Sequence, residues 1–343
     1  MKSNLLVTLA DRKYINQAKQ LFSSVYWNSG WKGDYMLLSH EIPDNELSWF
    51  RNKGILIKEC TPLNDSSLTY YYSPVVLDKF YLFTEEFKKW KNIIFLDSDI
   101  IVKGSLEKLT RVKHFAAAQD LYFNKLSSQF FDSKQTVFNN VTYDTDKPAF
   151  NSGVFAFNTQ IITPHTFNDL NYLFKANREN FRYLDQATLN LYFYTKWEKI
   201  SPLYNVFVPF HNYNIPQNIS IIILHFITCP DHPQVWENEN KYYDEWKSNL
   251  EKAEFIDLKN IPKIKDFNFL NIMLSTLLLN IRVNNSFFLK PYIFVEHIWY
   301  LMVAKITILF KTLIHAPLRF TGIIGFYMKK NFPKTYRLLK SKR

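Results

Sequence analysis

The run Ile94–Val102 places two carboxylates, Asp97 and Asp99, inside a stretch of apolar residues. A short apolar stretch of this kind is typical of a strand buried in a parallel sheet. Side chains two positions apart on a strand point to the same face, so Asp97 and Asp99 are expected to converge. Two partly desolvated like charges need a cation, and oxygen ligands suit Mg²⁺ or Mn²⁺. The alternative is that one aspartate caps a turn and the other is solvated.

The rest of the sequence predicts strands that alternate with helices. Strands are predicted at residues 5–9, 35–42, 55–59, 115–118, 150–157 and 221–226, and helices start at Ser73-Pro74 and cover 184–197. This alternation predicts an α/β fold with a mostly parallel central sheet. Ligands of such sheets bind at the carboxyl ends of the strands, where His225 also lies. His225 is either a third metal ligand through a neutral ring nitrogen or a structural histidine.

Composition narrows the class of protein. The chain has 343 residues and only two cysteines, which indicates no disulfide framework and favours a reducing compartment. The N-terminus reads directly as a strand, so we expect no secretory leader. Among only seven glycines there is no Gly-rich phosphate-binding motif, so a metal and basic side chains are expected to hold any phosphate. The polar segment 121–148 is expected to be a loop over the active site.

The excess positive charge lies entirely in the C-terminal tail. Residues 265–343 contain 13 Lys or Arg against two acidic residues, whereas residues 1–264 contain 29 of each sign. A generally basic nucleic-acid-binding protein would not show this asymmetry, so no nucleic-acid partner is expected.

Six stretches, in this order, make the chain resemble glycosyltransferase family 8, which includes glycogenin and bacterial lipopolysaccharide galactosyl- and glucosyltransferases. They are Val7–Tyr14, Lys79-Phe80, Phe95–Asp99, Phe150–Phe155, Asp185–Asn190 and His225-Phe226. One Asp-x-Asp is a weak signal, but six ordered motifs over residues 4–236 are specific. The resemblance implies a GT-A fold (Rossmann-like, nucleotide-diphospho-sugar transferase), a UDP-sugar donor, Mn²⁺ (or Mg²⁺), and retention of anomeric configuration.

The resemblance also implies roles for individual residues. Asp97, Asp99 and His225 would ligate the metal, and Asp185 and Gln186 would be the catalytic residues on the far side of the anomeric carbon. The donor-binding residues would be Ala10, Asp11, Tyr14, Lys79, Ser98, Asn151 and Ser152. Tyr14 would stack on uracil, its alternative being a core aromatic. Lys79 would approach the diphosphate or the sugar, its alternative being a solvated helix lysine.

The stretch after His225 departs from the family pattern. The family usually continues with a glycine and then Lys-Pro-Trp, but here the glycine is missing and the loop to Trp236 is longer. His232 stands where the family lysine binds phosphate, and it can do so only while protonated. This departure supports an alternative reading, in which the chain is a catalytically inactive relative that serves as a membrane-bound binding or scaffold protein.

The tail divides the chain into two predicted regions, a GT-A catalytic domain at 1–262 and a helical, basic and aromatic region at 263–343. The uncharged run 267–281 is too short to span a bilayer, which takes about 20 residues. Basic residues interleaved with apolar ones favour a helix on an anionic membrane surface. The alternative is a helical subdomain packed on the catalytic core. The sequence therefore predicts a peripheral enzyme at the cytoplasmic face of a membrane, with a saccharide or glycolipid acceptor. Self-glucosylation at Tyr213, as in glycogenin, is a minor option.

Overall fold

A seven-stranded sheet with one reversed strand forms the centre of the computed structural model, which describes residues 2–63, 73–208, 219–227, 233–264, 267 and 269–284. The strands are β1 (Lys2–Ala10), β2 (Asp34–His40), β3 (Leu56–Cys60), β4 (Trp90–Leu96), β5 (Ile100–Val102), β6 (Phe115–Gln119), β7 (Val137–Phe138), β8 (Val141–Thr142), β9 (Phe150–Asn158), β10 (Trp197–Lys199), β11 (Val206–Val208) and β12 (Ile223–Phe226). The order in the large sheet is β10-β6-β9-β4-β1-β2-β3. Only β9 runs antiparallel to its neighbours, β4 and β6.

Two smaller sheets accompany the large one, β11-β12-β5 and the hairpin β7-β8. The α-helices are α1 (Ile15–Asn28), α2 (Ser48–Asn52), α3 (Thr166–Asn177), α4 (Leu184–Tyr192), α5 (Tyr243–Lys252) and α6 (Phe269–Asn284). The 3₁₀ helices are Arg12–Tyr14, Asp44–Leu47, Pro74–Phe83, Glu85–Lys89, Glu107–Arg111, Leu126–Gln129, Thr159–Ile161, Pro202–Tyr204 and Ala253–Phe255. The predicted α/β fold with a mostly parallel central sheet is therefore confirmed.

The large sheet is buried on both faces. Leu5, Val7 and Leu9 of β1 pack into one core with α3 and α4, while Leu6 and Ala10 pack into the other core with α1. This alternation follows from the period of two along a strand, and it explains why β1 reads as a continuous apolar run. Burial of each large apolar side chain contributes about 1.5–3 kcal/mol, so the sheet supplies a stiff support for the loops at its carboxyl edge.

Three predicted elements differ from the structure in extent or in type. The strand through Asp97 and Asp99 is interrupted: β4 stops at Leu96, residues 97–99 form a turn, and β5 joins a different sheet. The predicted helix 184–197 stops at Tyr192, because the chain turns through Thr195 at φ 56° and enters β10 at Trp197. The predicted helix after Ser73 is a 3₁₀ helix, Pro74–Phe83, whose residues 77–80 are all buried.

Helix α6 packs the first part of the predicted tail region against the preceding chain. Ser275 Oγ accepts from the backbone N–H of Ser220 at 2.9 Å, and Leu279 is buried. Met273, Leu274 and Leu277 are about half exposed, at 50%, 52% and 55%. Among the described helices, none has the length and apolar character needed to cross a membrane. The rest of the predicted membrane-association region, residues 285–343, lies outside the described residues.

A buried histidine–aspartate pair connects the end of β2 to the 3₁₀ helix Pro74–Phe83. His40 Nδ1 lies 2.6 Å from Oδ2 of Asp78, a residue with no exposed surface. The hydrogen bond to Asp78 raises the pKa of His40. This contribution to stability is therefore complete below the unfolded pKa of about 6.5, and it is lost as pH rises through the folded value.

Replacing His40 is expected to destabilise the fold strongly. His40→Leu leaves the buried carboxylate of Asp78 without its partner, which costs about 3–5 kcal/mol of unfolding free energy. Urea denaturation at pH 6, followed by tryptophan fluorescence, measures the loss. The double variant His40→Leu/Asp78→Leu is the matched control, because removing both charges restores most of the stability. A single variant as stable as the unmodified chain would contradict the role of the pair.

Candidate active site and metal centre

Asp97, Asp99 and His225 lie together at the carboxyl ends of β4 and β12. One ligand atom from each falls within 4.8 Å of the other two. His225 Nε2 is 3.3 Å from Asp99 Oδ1 and 3.9 Å from Asp97 Oδ2. The turn after β4 brings this about, because β5 pairs antiparallel with β12 and sets His225 opposite Ile100. The predicted convergence of the three residues is thus present, although a turn and not a strand produces it.

The environment of these three residues fits a divalent cation. Oδ1 of Asp99 is buried and has no hydrogen-bond partner among the described residues, as expected for an oxygen that can serve as a metal ligand. A Cβ at Gly153 would lie 2.3 Å from Cε1 of His225 and 2.7 Å from Oδ2 of Asp97, so only glycine leaves the space open. Burial raises the pKa of Asp97, and repulsion from Asp99 adds to this while Lys79 offsets part of it. Two carboxylates and one imidazole are therefore held as a candidate divalent-metal site.

Lys79 connects the candidate metal site to Asp185. Its side chain is 2% exposed, and Nζ lies 3.0 Å from Oδ1 of Asp97 and 2.8 Å from Oδ2 of Asp185. Burial alone would lower the pKa of this lysine, but the charges of Asp185 and Asp97 more than reverse that effect and raise it. The ammonium group is therefore a fixed buried charge and not a solvated one. Asp97 and Asp185 share this ammonium, and the neighbouring Asp99 does not contact it. The three carboxylates therefore carry more negative charge than Lys79 balances, and a divalent cation would balance the rest.

The start of α4 faces the start of β9. Asp185 Oδ2 also accepts from Ser152 Oγ at 2.7 Å. The neighbouring Gln186 accepts at Oε1 from Asn151 Nδ2, 2.9 Å away, and from the backbone N–H of Ser152, 3.1 Å away. Its Nε2 donates to Asp120 Oδ2 at 3.2 Å and to Gln129 Oε1 at 2.9 Å. The carboxamide of Gln186 thus uses both donors and two acceptor positions within the protein.

The sequence does not predict three further residues of this network: Asp120, Gln129 and Asn205, whose Nδ2 donates to Asn151 Oδ1. Asp120 follows β6 at the carboxyl edge of the sheet, so the rule that located Asp97 could have located it as well. Burial raises the pKa of Asp120, which also accepts from the backbone N–H groups of Tyr122 and Phe123. Gln129 ends the short 3₁₀ helix Leu126–Gln129 and Asn205 lies in an irregular segment, and at neither place does a periodic pattern mark a polar side chain as buried.

The predicted nucleoside-binding residues cluster after β1. Ala10 ends the strand, and Asp11 accepts from the backbone N–H groups of Lys13 and Tyr14. Tyr14 packs edge-on against Trp236, with ring centroids 5.7 Å apart. Burial, followed by the charges of Asp99, Asp11 and Asp97, raises the pKa of Tyr14 to about 12, and the two metal-site carboxylates therefore act on this ring. Ser98 is buried in the turn between Asp97 and Asp99. His232 and Tyr213 lie outside the described residues.

Comparisons with known proteins identify the family and the fold. The sequence model of the family described as Glycosyl transferase family 8 matches residues 6–237. A search of curated protein sequences found no significant match. Among solved structures, an active-site mutant of LgtC is 15% identical with a TM-score of 0.59, covering 72% of this chain and 95% of LgtC. The galactosyltransferase LgtC has also been crystallised with donor and acceptor sugar analogs, at 15% identity and a TM-score of 0.57.

Two further solved structures share the fold over a smaller part of their own length. The glycosyltransferase GlyE of Streptococcus pneumoniae TIGR4 is 20% identical with a TM-score of 0.53, covering 76% of this chain and 63% of GlyE. The bifunctional glycosyltransferase WbbM is 16% identical with a TM-score of 0.53, covering 75% of this chain and 52% of WbbM. The fold is therefore that of the GT-A neighbours, and, since the family match covers more than half of its residues, the chain belongs to glycosyltransferase family 8.

Proposed function

We propose that this chain transfers a hexose from a UDP-sugar to a glycan or lipid-linked saccharide. The proposal includes retention of the anomeric configuration and dependence on Mn²⁺. One observation carries it: the convergence of Asp97, Asp99 and His225 beside the Lys79–Asp185 pair in a member of this family. The galactosyltransferase LgtC, with its donor and acceptor sugar analogs, supports a nucleotide-sugar donor and a saccharide acceptor.

The donor set supports Mn²⁺ over Mg²⁺. Two carboxylates are ligands that both ions accept, but a neutral imidazole nitrogen is softer than the oxygen ligands that Mg²⁺ prefers. A cation at this site would supply Lewis-acid stabilisation of the charge that develops on the leaving diphosphate. Lys79 adds a second positive charge on the same side, fixed between Asp97 and Asp185. His232 remains a proposed phosphate contact.

The sugar is proposed to lie against Asn151, Ser152 and Asp185. Asp185 keeps a negative charge near the anomeric carbon, where positive charge develops in an oxocarbenium-like transition state. Gln186 contributes differently, because its carboxamide is fully hydrogen-bonded and holds Asn151 and Ser152 in place. Ala10, Asp11 and Tyr14 are proposed to receive the uridine.

Release of UDP from a panel of UDP-hexoses tests this function. The purified full chain with Mn²⁺ and no acceptor is expected to hydrolyse one donor slowly, and excess EDTA is expected to stop the reaction. Addition of saccharide or glycolipid acceptors to the accepted donor then identifies the transfer. If no UDP-sugar is hydrolysed and calorimetry detects no binding of UDP, the chain is the inactive, membrane-bound relative and not an enzyme.

We further propose that the tail holds the enzyme on the cytoplasmic face of an anionic membrane. Residues 285–343 carry 11 Lys or Arg against one acidic residue, and each basic residue near an anionic surface contributes about 1 kcal/mol. The half-exposed Met273, Leu274 and Leu277 of α6 add apolar surface just before this segment. Since α6 packs on the preceding chain through Ser275 and Leu279, it belongs with the catalytic unit, and Asn284 is the appropriate point for truncation.

Truncation after Asn284 is expected to abolish sedimentation with phosphatidylserine vesicles while turnover in solution is retained. The physical reason is the loss of the basic residues that bind the anionic surface. The full chain is expected to be released from the vesicles by high salt or alkaline carbonate. Resistance to both treatments would indicate a spanning segment instead. Absence of vesicle binding by the full chain would favour the tail as a packed subdomain.

A further inference from the structure

The side chain of Asn205 links the metal-site residue His225 to the proposed sugar-binding residue Asn151. Asn205 is 1% exposed and immediately precedes β11. Its Oδ1 lies 2.8 Å from Nδ1 of His225, and its Nδ2 donates to Oδ1 of Asn151 at 2.9 Å. We propose that Asn205 is a positioning residue that holds His225 in the tautomer with its proton on Nδ1, so that Nε2 presents a lone pair to the metal.

Backbone N–H groups determine the direction of the hydrogen bonds. The N–H of Gly153 lies 2.9 Å from one side-chain atom of Asn151, and the N–H of Ser152 lies 3.1 Å from one side-chain atom of Gln186. A backbone N–H can only donate, so both of these side-chain atoms must be oxygens. This assignment of the two amides follows from the main chain and does not depend on any choice of rotamer.

The orientation of Asn205 follows from that of Asn151. The Asn205 atom that faces Oδ1 of Asn151 must donate and is therefore Nδ2. Its other end, Oδ1, is an acceptor and faces Nδ1 of His225, which must then carry the proton. At the far end of the chain of amides, Gln186 Nε2 faces the carboxylate of Asp120, which agrees with the same direction. The amides of Gln186, Asn151 and Asn205 thus point the same way, ending at His225.

The tautomer determines whether Nε2 can bind a metal, because only a ring nitrogen without a proton has a free lone pair. With the proton on Nε2, an N–H would point at the candidate metal position, where Nε2 lies 3.3 Å from Asp99 Oδ1. His225 is only 3% exposed, and Asn205 Oδ1 is the hydrogen-bond partner that the described residues give its Nδ1. Loss of the group that orients a metal-ligating histidine typically lowers metal affinity about 10–100-fold.

Calorimetric titration of the metal-free full chain with MnCl₂ tests the assignment, which rests on the proposed metal site. Asn205→Leu is expected to bind Mn²⁺ about 10–100-fold more weakly than the unmodified chain. Asn205→Asp keeps an acceptor for Nδ1 and is expected to retain affinity. Asn92→Leu is the matched control: this buried asparagine bonds to Asn4 near the starts of β4 and β1, and its replacement is expected to leave affinity unchanged.

A second readout reports the tautomer without metal. In ¹⁵N NMR spectra of the metal-free chain, Nδ1 of His225 is expected to be protonated, and in Asn205→Leu this preference is expected to be lost. If Asn205→Leu binds Mn²⁺ as tightly as the unmodified chain, or if the Asp and Leu variants lose affinity equally, the role assigned to Asn205 is wrong while the proposed function stands. Failure of the unmodified chain to bind Mn²⁺ would overturn the metal site itself.

Discussion

Asp99→Asn is expected to reduce metal-dependent turnover by on the order of 10³-fold, since a Lewis-acidic metal supplies several kcal/mol and about 1.4 kcal/mol corresponds to a factor of ten. The substituted side chain retains the shape of the residue but loses the charge that the candidate metal site needs. Oδ1 of Asp99 has no hydrogen-bond partner among the described residues and lies 3.3 Å from His225 Nε2, so its replacement breaks no internal hydrogen bond at that atom. The fold is therefore expected to remain intact.

Thermal melting separates the loss of metal from a loss of structure. Without metal, Asp99→Asn is expected to melt at the same temperature as the unmodified chain or slightly higher, because repulsion with Asp97 is relieved. With MnCl₂, the unmodified chain is expected to gain stability and the variant is not. Asp169→Asn, an equal change of charge at an exposed position of α3, should behave as the unmodified chain does. Full activity of Asp99→Asn in the presence of EDTA would remove the metal from the mechanism.

The sequence was sufficient for the parts of the site that lie at strand ends. Asp97 follows β4 and His225 lies near the end of β12, both strongly apolar strands, and the rule that ligands bind at the carboxyl ends of strands points to both residues. The same rule also fits Asp120, which follows β6 and contacts Gln186. Buried strands are marked by apolar runs, which the local sequence displays directly.

Other features depend on contacts that the sequence does not display. The apolar run continues past Leu96, so periodicity gives no sign that β4 ends there and that Ile100–Val102 pairs with β12 in another sheet. Asn205 lies in an irregular segment, and its importance comes from two partners that are 54 and 20 residues away along the chain. Lys79 likewise becomes a buried charge only through Asp97 and Asp185, which tertiary packing supplies.

Asp185→Asn is expected to lower turnover by about 10²–10³-fold, as the loss of one electrostatic partner of a transition state typically does, while donor affinity changes little. The reason is that the negative charge of Asp185 stabilises positive charge that is absent from the bound donor and develops only during transfer. The substitution is conservative in structure, because an amide oxygen can still accept from Lys79 Nζ and Ser152 Oγ, which lie 2.8 and 2.7 Å away.

Comparing the loss of turnover with the loss of donor affinity distinguishes a catalytic role of Asp185 from a binding role. Titration of the inert product UDP with Mn²⁺ gives the affinity of the nucleotide part, and a non-hydrolysed UDP-sugar analog gives that of the sugar. If affinity for the analog falls in proportion to turnover, Asp185 is a binding group and not a catalytic one. Lys79→Met provides the complementary case: it removes the charge beside the proposed diphosphate and leaves Asp97 and Asp185 without their shared ammonium. Lys79→Met is expected to lower UDP affinity as well as turnover. Together the two variants would assign Asp185 to the sugar side and Lys79 to the diphosphate side of the bond that breaks.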